Sequence, residues 1–323
     1  MGMDVLYTAN DKYIDIMLTS MVSLIRNGGF QDITFHIITE NYSYEDYKRV
    51  YDVLTRYDNV DLFFYNLEDY NIERFNIPKW RNTQIANARV FYNRILDKNP
   101  KGEQILYLDS DTLVVDKIDV IRGNEDNPIY AVQDSTRKEY YHNLGLSDYY
   151  NSGVLLFNRD TWNEKKIDDR IFTFLENHDV TNFEFPDQDL INISLQDEIG
   201  RMPLGYNICI YPFMFNEAQF NLYYGNDLRS FSLQEIDEAR KNAKIIHFYG
   251  INCNKPWFKN KINPFNETYR EYLHEVNPDF EIKPVPGIAG VLANSPILFY
   301  NLLALRSNMK EDTVKRIKQR YLK

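Results

Sequence analysis

Two carboxylates, Asp109 and Asp111, stand one residue apart between two apolar runs of this 323-residue chain. The runs cover residues 105–108 and 112–115, a pattern typical of a strand that is buried on both faces. Open α/β sheets bind ligands at the carboxyl ends of such strands. If the chain stays extended across the triplet, both side chains point the same way, and two like charges this close favour a bound cation. The pair therefore predicts a divalent metal that carries a phosphorylated ligand, and the alternative is a polar turn at a strand end.

The composition indicates which binding partners and which cellular compartment to expect. The chain has a formal net charge of −10, whereas general affinity for nucleic acid needs a basic face that displaces counterions, so no nucleic acid partner is expected. The two cysteines, Cys209 and Cys253, are too few for a disulfide scaffold. The first residues lack the basic region and long apolar core of a secretory signal. These features predict a cytoplasmic protein.

Strand-like and helix-like segments alternate through the first half of the chain, which is typical of βαβ units and a mostly parallel sheet. The apolar patterns predict strands over residues 4–9, 33–39, 60–65, 105–108, 153–157 and 244–248. They predict helices over residues 11–27, 44–57, 83–96, 161–178 and 187–195. Gly28 and Gly29 are expected to end the first helix.

The last sixty residues differ in character from the rest. Four prolines, at positions 278, 284, 286 and 296, interrupt the chain before two short helical segments. From Arg306 to Lys323 there are seven basic residues and two acidic ones, a local net charge of +5. Val314, Ile317 and Tyr321 recur at helical spacing in this segment. It is expected either to lie on the inner face of an anionic membrane as a peripheral contact or to form a solvated helix docked on the domain.

Four short motifs follow one another in a characteristic order. They are the Asp-x-Asp pair, Asn151-Ser152-Gly153, Asp187-Gln188-Asp189, and the run over residues 245–250 that precedes Lys255. In this order they resemble the family 8 glycosyltransferases, the group of glycogenin and the bacterial lipopolysaccharide α-galactosyl- and α-glucosyltransferases. The resemblance covers residues 4–257. It implies an α/β fold, with a single GT-A type, Rossmann-like domain on a mixed, mostly parallel sheet at residues 1–260 and a helical C-terminal appendage at residues 261–323.

The same resemblance implies a retaining hexosyltransferase. The implied donor is UDP-galactose or UDP-glucose, the acceptor is a saccharide, glycolipid or glycoprotein, and the expected setting is cell-envelope polysaccharide synthesis. Mn²⁺, with Mg²⁺ as the alternative, would bind the diphosphate and be held by Asp109, Asp111 and His247. Two carboxylates and one imidazole with open positions for phosphate oxygens suit Mn²⁺ better than a closed tetrahedral zinc site.

The nucleotide sugar is expected to contact residues at several strand ends. The family pattern places Thr8, Ala9 and Asn10 around uracil and ribose and stacks Tyr13 on the base, while Asn10 is also expected to cap the first helix. Arg94 matches the family arginine at the donor sugar and phosphate, and Arg89 is the alternative if the register shifts. The other implied binding residues are Asp109, Ser110, Asp134, Asn151, Ser152, Gly153, Asp187, Gln188, His247, Gly250 and Lys255.

Gln188 and Asp187 are the candidates for the catalytic centre. Gln188 matches the family residue nearest the face opposite the leaving group, but an amide is a poor nucleophile. We therefore expect departure and attack on the same face, in one ion-pair complex in which a leaving phosphate oxygen takes the acceptor proton. Asp187 as a nucleophile is the competing assignment. The Asp187-Gln188-Asp189 segment after Pro186 is also typical of a helix-capping turn.

Two other functions compete with glycosyl transfer. Haloacid-dehalogenase-like phosphatases also place Asp-x-Asp after an apolar strand, although their loop has one more residue between the second Asp and a Thr than Asp111-Thr112 allows. A catalytically inactive sugar-nucleotide-binding protein is the other alternative.

Two features depart from the family pattern. The spacer from Gly250 to Lys255 is longer than usual, and residues 84–88 lack the usual Ser, Thr and His content.

Overall fold

A computed structural model describes residues 2–119, 127–134, 138–216, 218–219, 231–250 and 254–307. Its strands are β1 (Gly2–Asn10), β2 (Asp32–Glu40), β3 (Val60–Asn66), β4 (Gln104–Leu108), β5 (Thr112–Val114), β6 (Ile129–Gln133), β7 (Tyr150–Asn158), β8 (Ile199–Arg201), β9 (Ile208–Cys209), β10 (Ile245–His247), β11 (Phe258–Lys259) and β12 (Lys283–Pro284). Its α-helices are α1 (Ile14–Asn27), α2 (Tyr44–Leu54), α3 (Tyr92–Leu96), α4 (Lys138–Asn143), α5 (Arg159–Glu164), α6 (Ile167–Asn177), α7 (Pro186–Ser194), α8 (Tyr211–Met214), α9 (Leu233–Lys241), α10 (Asn266–Val276), α11 (Gly287–Ala293) and α12 (Pro296–Ser307).

The main sheet has the strand order β3-β2-β1-β4-β7-β6-β8. β7 runs antiparallel to β4 and β6, and the other pairings are parallel. The predicted mixed, mostly parallel sheet is therefore confirmed. Because β1 and β4 are parallel neighbours, with Leu6 opposite Tyr107, their carboxyl ends meet at one edge of the sheet. That edge is where an open α/β sheet binds its ligand.

Both faces of the main sheet are covered. Val5 and Tyr7 of β1 pack in one core together with Met17 of α1, whereas Leu6 packs in a second core together with Leu190 of α7. The alternation follows from the two-residue period of a strand. Burial on both faces explains why the central strands are continuous apolar runs in the sequence.

The Asp109-Ser110-Asp111 triplet is a turn, so the chain does not stay extended across it. β4 ends at Leu108 in the main sheet, and β5 begins at Thr112 in a separate sheet with the order β5-β10-β9. Asp109 still donates its backbone N–H to the Gly153 carbonyl at 2.7 Å. The Thr112 hydroxyl then donates to the Asp109 carbonyl at 2.8 Å and closes the turn.

Two predicted helices are divided in the structure. The segment predicted as a helix over residues 83–96 is a 3-10 turn at Ile85–Phe91 followed by α3. The segment over residues 161–178 is divided between α5 and α6, because Lys166 adopts a left-handed backbone with φ of 52°. The Asn10 side chain accepts from the Lys12 N–H at 3.2 Å, so it caps the 3-10 turn Asp11–Tyr13 that precedes α1 and does not cap α1 itself.

The C-terminal segment packs back onto α1. Asn27 donates to the Tyr272 hydroxyl of α10 at 2.8 Å, and Asn277 donates to Asp15 at 3.2 Å. The two short helices predicted near the end are α11 and α12, and the basic segment after residue 307 lies outside the described residues. Within the described chain, no helix has the length and apolar content needed to cross a membrane.

Candidate active site

Asp109, Asp111 and His247 come together at the carboxyl edge of the main sheet, and one ligand atom from each lies within 4.8 Å of the others. His247 Nε2 is 3.2 Å from Asp111 Oδ1 and 3.5 Å from Asp109 Oδ2. The two aspartates come from the turn after β4, and the histidine ends β10, which pairs with β5. Two hard oxygen donors and one imidazole nitrogen fit a manganese or magnesium ion with positions left for other ligands.

Asn207 sets the orientation of the His247 ring. Its side-chain carbonyl lies 2.9 Å from His247 Nδ1, and this contact leaves Nε2 facing the two carboxylates. The Asn207 amide also donates to Asn151 at 2.8 Å. No sequence signal marks Asn207, because it stands beside His247 only through the pairing of β9 with β10.

Gly153 leaves the space that the cluster occupies. A Cβ atom at this position would lie 2.1 Å from His247 Cε1 and 2.8 Å from Asp109 Oδ2. Real side chains do not approach so closely, so the histidine and the carboxylate meet only because residue 153 has no side chain. The glycine of the Asn-Ser-Gly motif therefore has a steric role in the cluster of Asp109, Asp111 and His247.

Lys255 is a buried cation paired with Asp111. Its Nζ donates to Asp111 Oδ2 at 2.7 Å and lies 5.1 Å from the centre of the Trp257 ring. Burial opposes the charge of Asp111, but Lys255 and His247 hold the pKa of this carboxyl well below its usual range. Burial lowers the pKa of the Lys255 ammonium, and Asp111 offsets part of that effect. The contact therefore has the geometry of a buried ion pair.

Arg89, and not Arg94, is the arginine of the site. Arg94 lies in α3 with its side chain 53% exposed, and it pairs with Asp169 at 2.8 Å on another part of the surface. Arg89 is buried, with Nη2 2.9 Å from Asp109 Oδ1 and Nε 3.3 Å from Asp187 Oδ2. The 3-10 turn before α3 changes which residues face the sheet, so the structure brings Arg89 to the cluster and leaves Arg94 away from it.

Arg89 connects the cluster of Asp109, Asp111 and His247 to the start of α7, because it pairs with both Asp109 and Asp187. It donates from Nη1 to the Ser152 carbonyl at 2.7 Å, and its guanidinium carbon lies 4.4 Å from the centre of the Tyr107 ring. Burial disfavours its charge, but Asp109 and Asp187 raise its pKa above the ordinary value. Burial also raises the pKa of Asp187, although Arg89 opposes this rise.

A network of amides and carboxylates holds Gln188. Its Oε1 accepts from the Ser152 N–H at 3.0 Å and from Asn151 Nδ2 at 3.2 Å, while its Nε2 donates to Asp134 at 3.2 Å. Asp187 accepts from the Ser152 hydroxyl at 2.8 Å. The residues predicted around the sugar are thus together in the structure. Asp189 differs from them, because it is bound by the hydroxyls of Tyr140 and Tyr149.

The residues predicted to bind the nucleotide lie at and just after the carboxyl end of β1. The Ser110 hydroxyl donates to the Thr8 carbonyl at 3.3 Å, and the Thr8 hydroxyl is 3.1 Å from the Tyr107 hydroxyl. Ala9 is buried beside them, and Tyr13 is half-buried with its hydroxyl 3.3 Å from Arg81 Nη1.

Gly250 adopts a backbone that side chains rarely take. Its φ is +104°, and a Cβ here would lie 2.5 Å from the Tyr211 hydroxyl. Residues 251–253 of the unusually long spacer to Lys255 lie outside the described residues.

The sheet topology and the likeness to solved structures define an α/β fold of the GT-A type. The particular family follows from the comparison with family models, in which glycosyl transferase family 8 matches residues 4–261. The chain belongs to this family. Membership overturns the phosphatase alternative, which rested on the Asp-x-Asp pattern alone.

Several known proteins are similar over most of the chain. General stress protein A of Bacillus subtilis is 23% identical over 280 residues, which are 84% of this chain and 93% of that protein. A lipopolysaccharide 1,2-glucosyltransferase of Escherichia coli is 22% identical over 273 residues, 80% of this chain and 74% of that protein. The crystal structure of the galactosyltransferase LgtC with donor and acceptor sugar analogs has a TM-score of 0.64 at 21% identity, over 88% of this chain and 98% of LgtC. This last likeness concerns the fold.

Proposed function

We propose that this protein transfers a hexose from UDP-galactose or UDP-glucose to a saccharide, glycolipid or glycoprotein, with retention of the anomeric configuration. The observation that carries the proposal is the contact of the Asp109, Asp111 and His247 cluster with two buried cations, Arg89 and Lys255. A divalent metal beside two cations is what a departing nucleoside diphosphate requires. Residues 1–260 are assigned to this catalytic domain and residues 261–323 to the C-terminal appendage.

The metal held by the cluster and the two buried cations would each neutralise part of the charge of the diphosphate. When bound, Mn²⁺, or Mg²⁺ in its place, neutralises charge on the phosphate oxygens as a Lewis acid. Lys255 and Arg89 are already charged and buried in the free protein, so their positive charge is in place before bond breaking begins. Thr8, Ala9 and Asn10 are assigned to the uridine because they end β1 beside Ser110 and the cluster, and Tyr13 is assigned to it from the 3-10 turn that follows β1.

The sugar is assigned to the pocket formed by Asp134, Asn151, Ser152 and Gln188. In the transfer, the bond between the anomeric carbon and the diphosphate oxygen breaks, and the acceptor oxygen bonds to the same face of that carbon. The acceptor proton passes to the departing phosphate oxygen, so no enzyme base is needed. The network around Gln188 supports this route, because both ends of the amide are held and Asp187 is neutralised by Arg89. Asp187 as a nucleophile remains the competing assignment.

The setting we propose is cell-envelope polysaccharide synthesis in the cytoplasm, with the segment from Arg306 to Lys323 as a peripheral membrane contact. The named lipopolysaccharide glucosyltransferase among the relatives supports a glycolipid or saccharide acceptor. The seven basic and two acidic residues of the segment support attraction to anionic lipid.

The test is a panel of UDP-sugars with and without Mn²⁺, in which UDP release is measured and the product anomeric proton is assigned by NMR. We expect release from a UDP-hexose, retention of configuration, and a loss of about 100-fold in Asp111→Asn, because a direct ligand matters at least as much as the groups that orient it. Asp116→Asn is the matched control, since Asp116 is an exposed carboxylate that pairs with Lys244 beyond β5.

Each contrary result has a defined meaning. An inverted product would exclude the same-face route. Indifference to both metal and Asp111→Asn would remove the metal cluster from the mechanism. If no UDP-hexose released UDP, the inactive sugar-nucleotide-binding protein would be the better description.

A further inference from the structure

One face of helix α1 places polar side chains inside the apolar core. Ser20 and Ser23 are fully buried, and Asn27 follows them on the same face at helical spacing. Their neighbours on the helix, Met17 and Leu24, belong to the apolar core around β1. Buried hydroxyls cost free energy unless they are hydrogen-bonded. The two serines therefore need polar partners on the element that packs against α1.

Strand β5 supplies these partners through its open edge. On one side β5 pairs with β10, where the Val115 N–H that follows the strand donates to the Lys244 carbonyl at 2.9 Å. On the other side, Val114 donates its N–H to the Ser23 hydroxyl at 2.9 Å and accepts from Asn27 Nδ2 at 2.7 Å. Because an unpaired strand edge leaves backbone groups unsatisfied, α1 takes the place of a further strand here.

Three side-chain hydroxyls extend this contact to the turn after β4. The Thr112 hydroxyl donates to the Asp109 carbonyl at 2.8 Å, so it must accept from Ser20, whose Oγ lies 2.7 Å away. Ser20 in turn must accept from the Tyr7 hydroxyl of β1, at 2.9 Å. A hydroxyl has only one proton to donate, so each hydrogen bond of this hydroxyl series has a fixed direction, from Tyr7 towards Asp109.

Thr112 is the residue at which the two sources of candidate metal ligands meet. Its hydroxyl binds the backbone of Asp109, and its own backbone stands opposite His247 in the pairing of β5 with β10. Beside this pair, the Phe248 N–H donates to the Asp111 carbonyl at 2.8 Å. A shift of Thr112 would therefore change the separation of the aspartates from the histidine.

We propose that Ser20 is a positioning residue for metal binding, because it fixes Thr112 from α1 and so sets the separation of Asp109 and His247. The inference rests on the proposed function, since it takes the divalent metal of the donor complex as the ligand. Ser20 is fully buried and its hydroxyl bonds Tyr7 and Thr112, so its effect on the metal passes through Thr112. Removal of groups that orient metal ligands typically weakens metal binding about 10- to 100-fold.

The experiment is a titration with Mn²⁺ alone, in which free Mn²⁺ is followed by electron paramagnetic resonance. Thr112→Val keeps the shape of the side chain and removes its hydroxyl, and we expect it to weaken Mn²⁺ binding about tenfold or more. Thr112→Ser keeps the hydroxyl and should bind Mn²⁺ as the unaltered protein does. Ser20→Ala should also weaken binding, and adding it to Thr112→Val should have little further effect, since both changes interrupt one hydroxyl series.

Thr39→Val is the matched control for the loss of a buried hydroxyl. Thr39 of β2 is fully buried, and its hydroxyl lies 2.9 Å from the Tyr47 hydroxyl and donates to the Tyr65 carbonyl at 3.2 Å. Thr39→Val should lower the free energy of unfolding as Thr112→Val does, but it should leave Mn²⁺ affinity unchanged. The comparison separates positioning of the ligands from a general loss of stability.

Each other outcome overturns the inference in a distinct way. Equal losses of Mn²⁺ affinity in Thr39→Val and Thr112→Val would mean that general destabilisation explains both. A loss in Thr112→Val with full affinity in Ser20→Ala would mean that the turn is held without α1. Full affinity in both variants would remove the hydroxyl series from metal binding, while the proposed function would stand. If the unaltered protein bound no Mn²⁺, the metal site of the proposed function would fail and this inference with it.

Discussion

At the scale of single residues, the metal cluster depends on one missing side chain. Gly153 lies on β7, and its Cα faces both His247 and Asp109. The same residue accepts the backbone hydrogen bond that positions Asp109 at the end of β4. Because Gly153 has both roles, a substitution at this position tests the cluster without changing a candidate metal ligand.

Gly153→Ala should weaken Mn²⁺ binding by about tenfold or more, because displacing the ring or the carboxylate costs about 1–3 kcal/mol. Free Mn²⁺ measured by electron paramagnetic resonance during titration gives the affinity. Gly2→Ala is the control, since a Cβ at Gly2 would make only ordinary contacts at 3.8 Å. Equal Mn²⁺ affinity in both variants would contradict the steric role of Gly153.

The sequence identifies the candidate metal ligands, but it does not identify the residues that contact and orient them. Carboxylates and a histidine after apolar runs carry recognisable chemistry, and the motif order extended this to Asn151, Gln188 and Lys255. The sequence offers Arg89 only as an alternative to Arg94, because a regular helix over residues 83–96 gives no reason to prefer either one. Asn207 carries no motif at all and acts only through its contact with His247.

At the scale of elements, a buried polar network joins the first three strands of the main sheet. His36 of β2 bonds Asp4 of β1 at 2.8 Å and the Tyr65 hydroxyl of β3 at 2.9 Å. Asp4 also accepts from the N–H groups of Lys101 and Gly102 before β4. Burial opposes its charge, but these hydrogen bonds lower the pKa of Asp4 below its ordinary value.

Because the folded pKa of Asp4 is lowered, its contribution to stability is present above the unfolded pKa of about 4 and is lost as the pH falls through the folded value. Asp4→Asn should lower the free energy of unfolding by about 1–3 kcal/mol at pH 7, and by less at pH 3. Urea unfolding at the two pH values measures this. Asp61→Asn is the control, since Asp61 forms only an exposed pair with Lys101. If Asp4→Asn lowered the free energy of unfolding equally at both pH values, the lowered pKa of Asp4 in the folded protein would be contradicted.

At the scale of the whole molecule, apolar surface and positive charge occur together at the C-terminal end. Ile297, Leu298 and Leu302 of α12 are exposed at 77%, 47% and 46%, while Phe299 of the same helix is buried against the domain. The segment from Arg306 to Lys323, which begins at the end of this helix, has a net charge of +5 in a chain whose total is −10. An apolar helix face next to a basic segment suits the surface of an anionic membrane.

The full chain should therefore sediment with phosphatidylserine-rich vesicles and not with neutral phosphatidylcholine vesicles. Lys315→Glu combined with Arg316→Glu should reduce this binding about 30-fold or more, since each basic residue contributes about 1 kcal/mol at such a surface. Arg240→Glu with Lys241→Glu, an adjacent basic pair on α9, is the control. Equal binding to both vesicle types, or no effect of the tail substitutions, would favour a solvated terminal helix.

The sequence by itself determined the α/β class, the order of most strands and helices, and the residues that carry the chemistry, because apolar periodicity and side-chain type are local properties. Tertiary structure decided how those residues meet. It divided the Asp-x-Asp segment between two sheets, replaced Arg94 by Arg89, and placed Asn207 behind His247. These outcomes depend on strand pairing and on backbone turns between distant segments, which no local pattern of residues records.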